Sequence, residues 1–376
     1  MNFYDTFKNP GAPYRGKPFW SWNGELHPDE LRRQVRIFKR MGMGGAFLHS
    51  RVGLATEYLG DAWFDAIRAS VDECRMEGME AWLYDEDCWP SGYAGGKVTQ
   101  DPEHRMRFLV MEVVPAKGFS YDEEGEYPVY EADVKDDNAS NMRWLHPGER
   151  PTASHVLLFH EELQACTPYY NGSTYLDTLS EEAVAAFIET THEHYRREIG
   201  EDFGAVVPGI FTDEPNFCAI LGKQIPQGRK GIPYSYVPWT PKLTVVFEEM
   251  FNYSIRSHLP ELMLKVDGVS VSRARLDFRN CLTHLFTKNF FKQIFDWCEQ
   301  YNMKLTGHVL LEDSLHLQTL VVGSAMRSYE YMQLPGIDLL SQYAYDYDTP
   351  KQCQSVANQM GRPWVLSEMY GCTGWD

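Results

Sequence analysis

The run 206–211 is apolar and β-prone, and it stops abruptly at Thr212-Asp213-Glu214-Pro215. A buried parallel strand reads this way, because both its faces are covered and only its end meets solvent. Taken once, the motif equally describes a strand followed by the acidic cap of a helix. Repeated along a chain it points to a (β/α)8 barrel, whose C-terminal rim gathers side chains from several strand ends into one site.

The repetition is present. Phe19-Trp20-Ser21-Trp22 ends in Asn23-Gly24, and a helix opens at Pro28 with Leu31, Val35 and Phe38 at helical spacing. Gly42 and Gly44-Gly45 stop it. Ala46-Phe47-Leu48 ends in His49-Ser50-Arg51, a second helix runs over 61–76, and Ala81-Trp82-Leu83-Tyr84 ends in Asp85-Glu86-Asp87. Strand-then-helix units in this order imply a parallel sheet with right-handed crossovers. Between 107 and 170 the rhythm changes to short alternating pieces separated by Gly, Asp and Asn, which reads as a small β-rich insertion after strand three. The barrel portions expected around it are 1–106 and 171–376.

A helix capped by Ser180 leads into the fourth strand and the opening motif. A Gly/Pro-rich loop then reaches Pro241, and three helical segments show no strand signal before Met303. Leu305-Thr306-Gly307-His308, Ile337-Asp338-Leu339 and Trp364-Val365-Leu366-Ser367-Glu368 are the remaining candidate strands. The total is seven rather than eight, so the barrel is expected to be incomplete at its C-terminus. The chain is then expected to be the N-terminal piece of a longer enzyme.

The net charge of −18 argues against nucleic acid or an anionic membrane surface as a partner. No run of about 18 apolar residues is present to span a bilayer. The first residues show no basic-then-apolar leader, and the eight cysteines form no CxxC pair, which together suit a cytoplasmic protein with reduced thiols.

Cleavage of a glycosidic bond needs one carboxylic acid to protonate the leaving oxygen and one carboxylate on the opposite face. Glu214 and Glu368, closing the fourth and seventh strands, meet that need; as a cap or ion-pair residue either would be merely structural. Asp85, Asp87 and Asp213 are rim acids able to bond sugar hydroxyls or a hard cation. His49, Arg51 and His308 end strands, where a ligand is reached more easily than the core. Trp22, Trp89 and Trp375 offer faces for a sugar ring, although each serves equally for packing. An oligosaccharide or glycoside is the partner these residues suggest.

Three stretches, Pro18-Phe19-Trp20-Ser21-Trp22-Asn23-Gly24, Phe47-Leu48-His49-Ser50-Arg51 and the run 82–92 from Trp82 to Gly92, resemble glycoside hydrolase family 106, the α-L-rhamnosidases. So do Phe211-Thr212-Asp213-Glu214-Pro215, Gly307-His308 with Glu312, and Leu366-Ser367-Glu368 with Gly371 and Gly374-Trp375. The resemblance implies a (β/α)8 catalytic domain, inversion at the anomeric carbon, and calcium at the sugar subsite. By it Glu214 is the general acid and Glu368 the base that activates water, with Glu312 a rival base or a metal ligand. Two departures stand out: family members are much longer, and Ser50 occupies a position where proline is commoner. A retaining, galactosidase-like enzyme using the same two carboxylates remains open, as does a glycan-binding incomplete barrel without turnover.

Overall fold

The structure, a computed structural model, describes residues 3–218, 226, 228–340 and 347–371. Its strands in chain order are β1 (Phe19–Trp22), β2 (Gly45–Ser50), β3 (Glu80–Tyr84), β4 (Arg107–Pro115), β5 (Val129–Lys135), β6 (Asn138–Leu145) and β7 (His155–Leu163). They continue with β8 (Gly209–Thr212), β9 (Tyr234–Trp239), β10 (Lys265–Val266), β11 (Lys304–Gly307), β12 (Leu334–Leu339) and β13 (Leu366–Met369). The chain divides into two compact units. One holds Met1–Val98, Val184–Asn216 and Thr287–Asp376; the other holds Thr99–Ala183 and Phe217–Phe286.

The first unit is built on a seven-stranded sheet in the order β1-β2-β3-β8-β11-β12-β13. Every neighbouring pair in it is parallel. A flat sheet of this width would hold its outermost strands roughly 29 Å apart, at about 4.8 Å per strand. Here Phe19 of β1 touches the ring of Phe211 on β8 with centroids 4.9 Å apart, and Phe19, Leu334 and Leu366 all pack on the cluster Phe47, Trp82, Tyr84 and Phe211. The sheet is therefore curled, with its aromatic residues on the concave side. Among the described residues β1 and β13 do not pair with each other, so the curl is a partial barrel.

Alternation along β1 sends Trp20 and Trp22 to the convex side. Trp20 meets Phe38 of the helix Pro28–Arg40 at 5.3 Å between ring centroids, and Trp22 meets Trp63 of the helix Asp61–Glu77 at 5.1 Å. That second helix ends where Gly78 takes a left-handed φ of +62°. No helix among the described residues is long and apolar enough to cross a membrane.

The second unit carries a sheet in the order β10-β6-β5-β7-β4-β9, antiparallel except for the short β10–β6 pair. Its bounds differ from the expected 107–170 insertion, because the excursion at Phe217–Phe286 joins the first one to build it. The strand β9 lies in the stretch read as a Gly/Pro-rich loop and pairs with β4 from Tyr234 to Trp239. Its local sequence, Tyr-Ser-Tyr-Val-Pro-Trp, alternates poorly; the open edge of β4 makes it a strand.

Within the first sheet, the β11 backbone at Gly307 leaves no room for a side chain beside β8. This residue has φ +130°, and a Cβ placed on it would lie 1.8 Å from the carbonyl oxygen of Thr212. No side chain fits there and few tolerate that backbone conformation. We expect Gly307→Ala to lower stability by about 3 kcal/mol or more, read as a lower urea midpoint. An unchanged midpoint would refute the close approach.

Candidate active site

Period-two alternation places the chemistry. On the concave side β2, β3, β8 and β13 each present an apolar residue and, two positions later, a polar one: Phe47 then His49, Trp82 then Tyr84, Phe211 then Asp213, Leu366 then Glu368. On β11 Thr306 and His308 share this face, and on β12 Leu334, Gly336 and Asp338 do, without an apolar residue two positions before the ionisable one. Register aligns neighbours, with Asp338 beside Glu368 and Tyr84 beside Phe211. An aromatic floor thus carries a layer of ionisable groups at the C-terminal ends of the strands.

His308 is the centre of that layer, with its side chain 1% exposed. Its Nε2 lies 3.0 Å from Glu368 Oε2 and 3.6 Å from Asp213 Oδ1. Asp213 Oδ2 accepts a hydrogen bond from the Tyr84 hydroxyl at 2.5 Å. The backbone of Asp213 is clamped on both sides by Ser91, whose N–H donates to its carbonyl at 2.7 Å and whose Oγ accepts from its N–H at 2.8 Å. His49 stacks on Tyr84 with ring centroids 3.8 Å apart. Two groups of ligand-capable atoms lie within 4.8 Å of one another: Asp213, His308 and Glu368, and Glu214, His308 and Asp338.

The electrostatics follow from this crowding. Burial, reinforced by adjacent Asp213 and opposed by His308, pushes the Glu214 carboxyl up to about 8; Asp338 and Glu368 add to the rise. Burial also lifts Asp338 to about 7 and Glu312 to about 7. For His308 burial works the other way. The hydrogen bond to Glu368 and the charges of Asp213 and Glu312 outweigh it, holding the imidazole well above its ordinary range. His49 is pushed down to about 4 by burial, against the pull of Asp213, and is a neutral ring at neutral pH. Glu214 also has a left-handed φ of +48°, a strained conformation for a residue with a side chain, and the Asn216 amide donates to its carbonyl at 3.1 Å.

The expected site residues divide clearly. Asp213, Glu214, His308 and Glu368 come together, with His49 against Tyr84 beside them. Arg51 is exposed just beyond β2. Asp87 and Trp89 are half-buried in the turn after β3, where the Ser50 hydroxyl donates to Asp87 Oδ1 at 2.7 Å. Trp22 does not join them: it is 2% exposed on the convex side against Trp63. Asp85 is fully buried and takes a hydrogen bond from Ser91 Oγ at 2.5 Å, because alternation turns it away from Tyr84. Glu312 has both oxygens engaged, by the Tyr329 hydroxyl at 2.5 Å and the Asp338 N–H at 2.6 Å, and is in neither cluster. Trp375 lies outside the described residues.

Two contributors, Asp338 and Ser91, were not singled out from sequence, and Glu86, expected as a rim acid, has another role. Asp338 lies on the same period-two face as Leu334 and Gly336 near the end of a candidate strand, which would have found it. Ser91 has no such signal, since the turn after β3 brings it to Asp213. Glu86 accepts hydrogen bonds from the backbone N–H groups of Asp87, Gly92, Ala94 and Gly95, so this rim acid organises the turn rather than meeting a ligand.

The calcium implied by the family resemblance calls for about six to eight oxygen ligands. Among the described residues each candidate group offers two carboxylates and the His308 imidazole, and Glu312 belongs to none. These side chains by themselves supply fewer oxygens than that.

No protein-family model matches the chain. A protein of Formosa agariphila named "Putative beta-glucuronidase" is 20% identical over 438 residues, covering 98% of this chain and 35% of its own length. The solved structure of a rhamnosidase from Novosphingobium sp. PP1Y is similar with a TM-score of 0.63 at 14% identity, covering 98% of this chain and 53% of that one. The chain therefore spans about a third of the first protein and about half of the second. At these identities the likeness to the solved structure is one of fold, and that fold runs through nearly all of this chain.

Proposed function

We propose that this chain is the catalytic portion of a glycoside hydrolase that cleaves terminal α-L-rhamnosyl linkages with inversion. The observation that carries the reading is the unlike surroundings of the two strand-end glutamates. Glu214 is pushed up to about 8 and so holds a proton at neutral pH, while Glu368 faces the imidazole of His308 at 3.0 Å. A carboxyl that keeps its proton, paired with a second carboxyl able to act on the other face, is what glycoside hydrolysis requires. Glu214 gives its proton to the leaving oxygen as the bond from that oxygen to the anomeric carbon breaks. Glu368 takes a proton from the water whose oxygen bonds to the same carbon from the other face.

The rhamnosidase fold and the glucuronidase relative both support a glycan substrate. Between them the charge of the site favours the neutral sugar. A uronate would bring a further carboxylate into a layer already crowded with carboxyl groups around one imidazole, and this crowding disfavours it. Aryl α-L-rhamnoside, β-D-glucuronide and β-D-galactoside, each assayed with and without a chelator, test the assignment. Turnover of the rhamnoside, unaffected by chelation and releasing the β-anomer first by NMR, is the expected result. Release of the α-anomer would replace inversion by retention.

Glu214→Gln is expected to lower turnover about 10²–10⁴-fold on glycosides with poor leaving groups and much less on activated aryl glycosides, which need little protonation. Glu368→Gln should depress both alike, since water activation is indifferent to the leaving group. Equal losses in the Glu214 variant would remove it from the acid role.

The pH dependence has a definite sign. A general acid works while protonated, so kcat/KM should be maintained below the raised value of Glu214 and fall as pH passes through about 8. An enzyme whose rate climbs steadily from pH 7 to 9.5 would contradict this.

A further inference from the structure

Charged and titratable groups from five strand ends meet around His308. From β8 come Asp213, its Oδ1 3.6 Å from Nε2, and Glu214; β12 brings Asp338 and β13 brings Glu368, whose Oε2 is 3.0 Å away. Glu312 follows on the His308 segment itself, and Tyr84 of β3 reaches the cluster by donating to Asp213. The ring of Phe211 closes one side edge-on at 5.5 Å. His308 is the one basic group in both ligand-capable clusters of the described residues.

We propose that His308 is a positioning residue for Glu368: its Nε2–H is held between Glu368 and Asp213, fixes Glu368 Oε2, and reserves Oε1 for the attacking water. The inference rests on Glu368 being the base. His308 keeps its own proton throughout, so the step is unchanged: water loses one proton to Glu368 and the leaving group gains one from Glu214. What the imidazolium adds is orientation, together with a positive charge that both catalytic carboxyls face. A neutral donor would preserve the hydrogen bond and remove the charge. This separates the role from that of a side chain that only touches sugar.

His308→Gln makes that separation. The expected result is a fall in kcat of tenfold or more with KM little changed, and the alkaline limb of the kcat/KM profile, set by Glu214, displaced upward by about one pH unit, because loss of the positive charge that opposes its rise favours the protonated carboxyl. A raised KM with unmoved kcat and an unmoved profile would make His308 a sugar contact and overturn the proposal. Ring 15N resonances of His308 in the unmodified chain supply a second arm independent of the variant's folding and of any substrate. An imidazolium at pH 7 is expected, and a neutral ring overturns the proposal. Glu368→Gln distinguishes the two levels. Full turnover in that variant defeats the base assignment and this inference with it, whereas an inactive Glu368→Gln beside an unshifted His308→Gln defeats this inference alone.

Discussion

Crowding of like charge around one buried imidazole is the interaction on which the candidate site depends. Asp213, Glu214, Asp338 and Glu368 converge in a layer that is partly buried, and His308, fully buried, is the basic group that the two clusters share. In water such carboxylates would simply ionise. In this setting burial and mutual repulsion lift Glu214 and Asp338, while the same negative field holds His308 charged. One arrangement therefore yields a proton donor and a hydrogen-bonded carboxylate around the same imidazole.

That convergence is a property of the curled sheet. Parallel strands that alternate strictly put Phe211 and Asp213, or Leu366 and Glu368, on the same concave face. The aromatic floor supplied by Phe19, Phe47, Trp82 and Phe211 keeps the polar layer from sinking into the core. Close approach of β8 and β11 then sets His308 beside Asp213, which is possible because residue 307 has no side chain. Packing, backbone geometry and electrostatics are linked through this single pair of strands.

The turn after β3 shows how rim acids can be diverted from ligand binding. Glu86 is consumed by backbone N–H groups and Asp85 by Ser91, and Ser91 in turn grips the backbone of Asp213. Asp85 and Glu86 therefore support the site from behind. Asp87 stays at the rim, tied to Ser50. Ser50 thus provides a hydroxyl that the structure uses.

The amino-acid sequence by itself determined the parallel strand-and-helix order, the seven strands of the first sheet, and the convergence of Asp213, Glu214, His308 and Glu368. These follow from local patterns, namely an apolar run ending in polar residues and the helical or two-residue period. Tertiary structure alone decided what depends on distant partners. Trp22 faces a helix because alternation from Phe19 turns it outward, and Glu312 is spent on Tyr329 and the Asp338 N–H. The strand β9 exists because β4 offers it an edge, so the second unit draws on two separated stretches of chain. The protonation of Glu214 and His308 is likewise invisible in a string of letters, since it arises from burial and from charges brought near by folding.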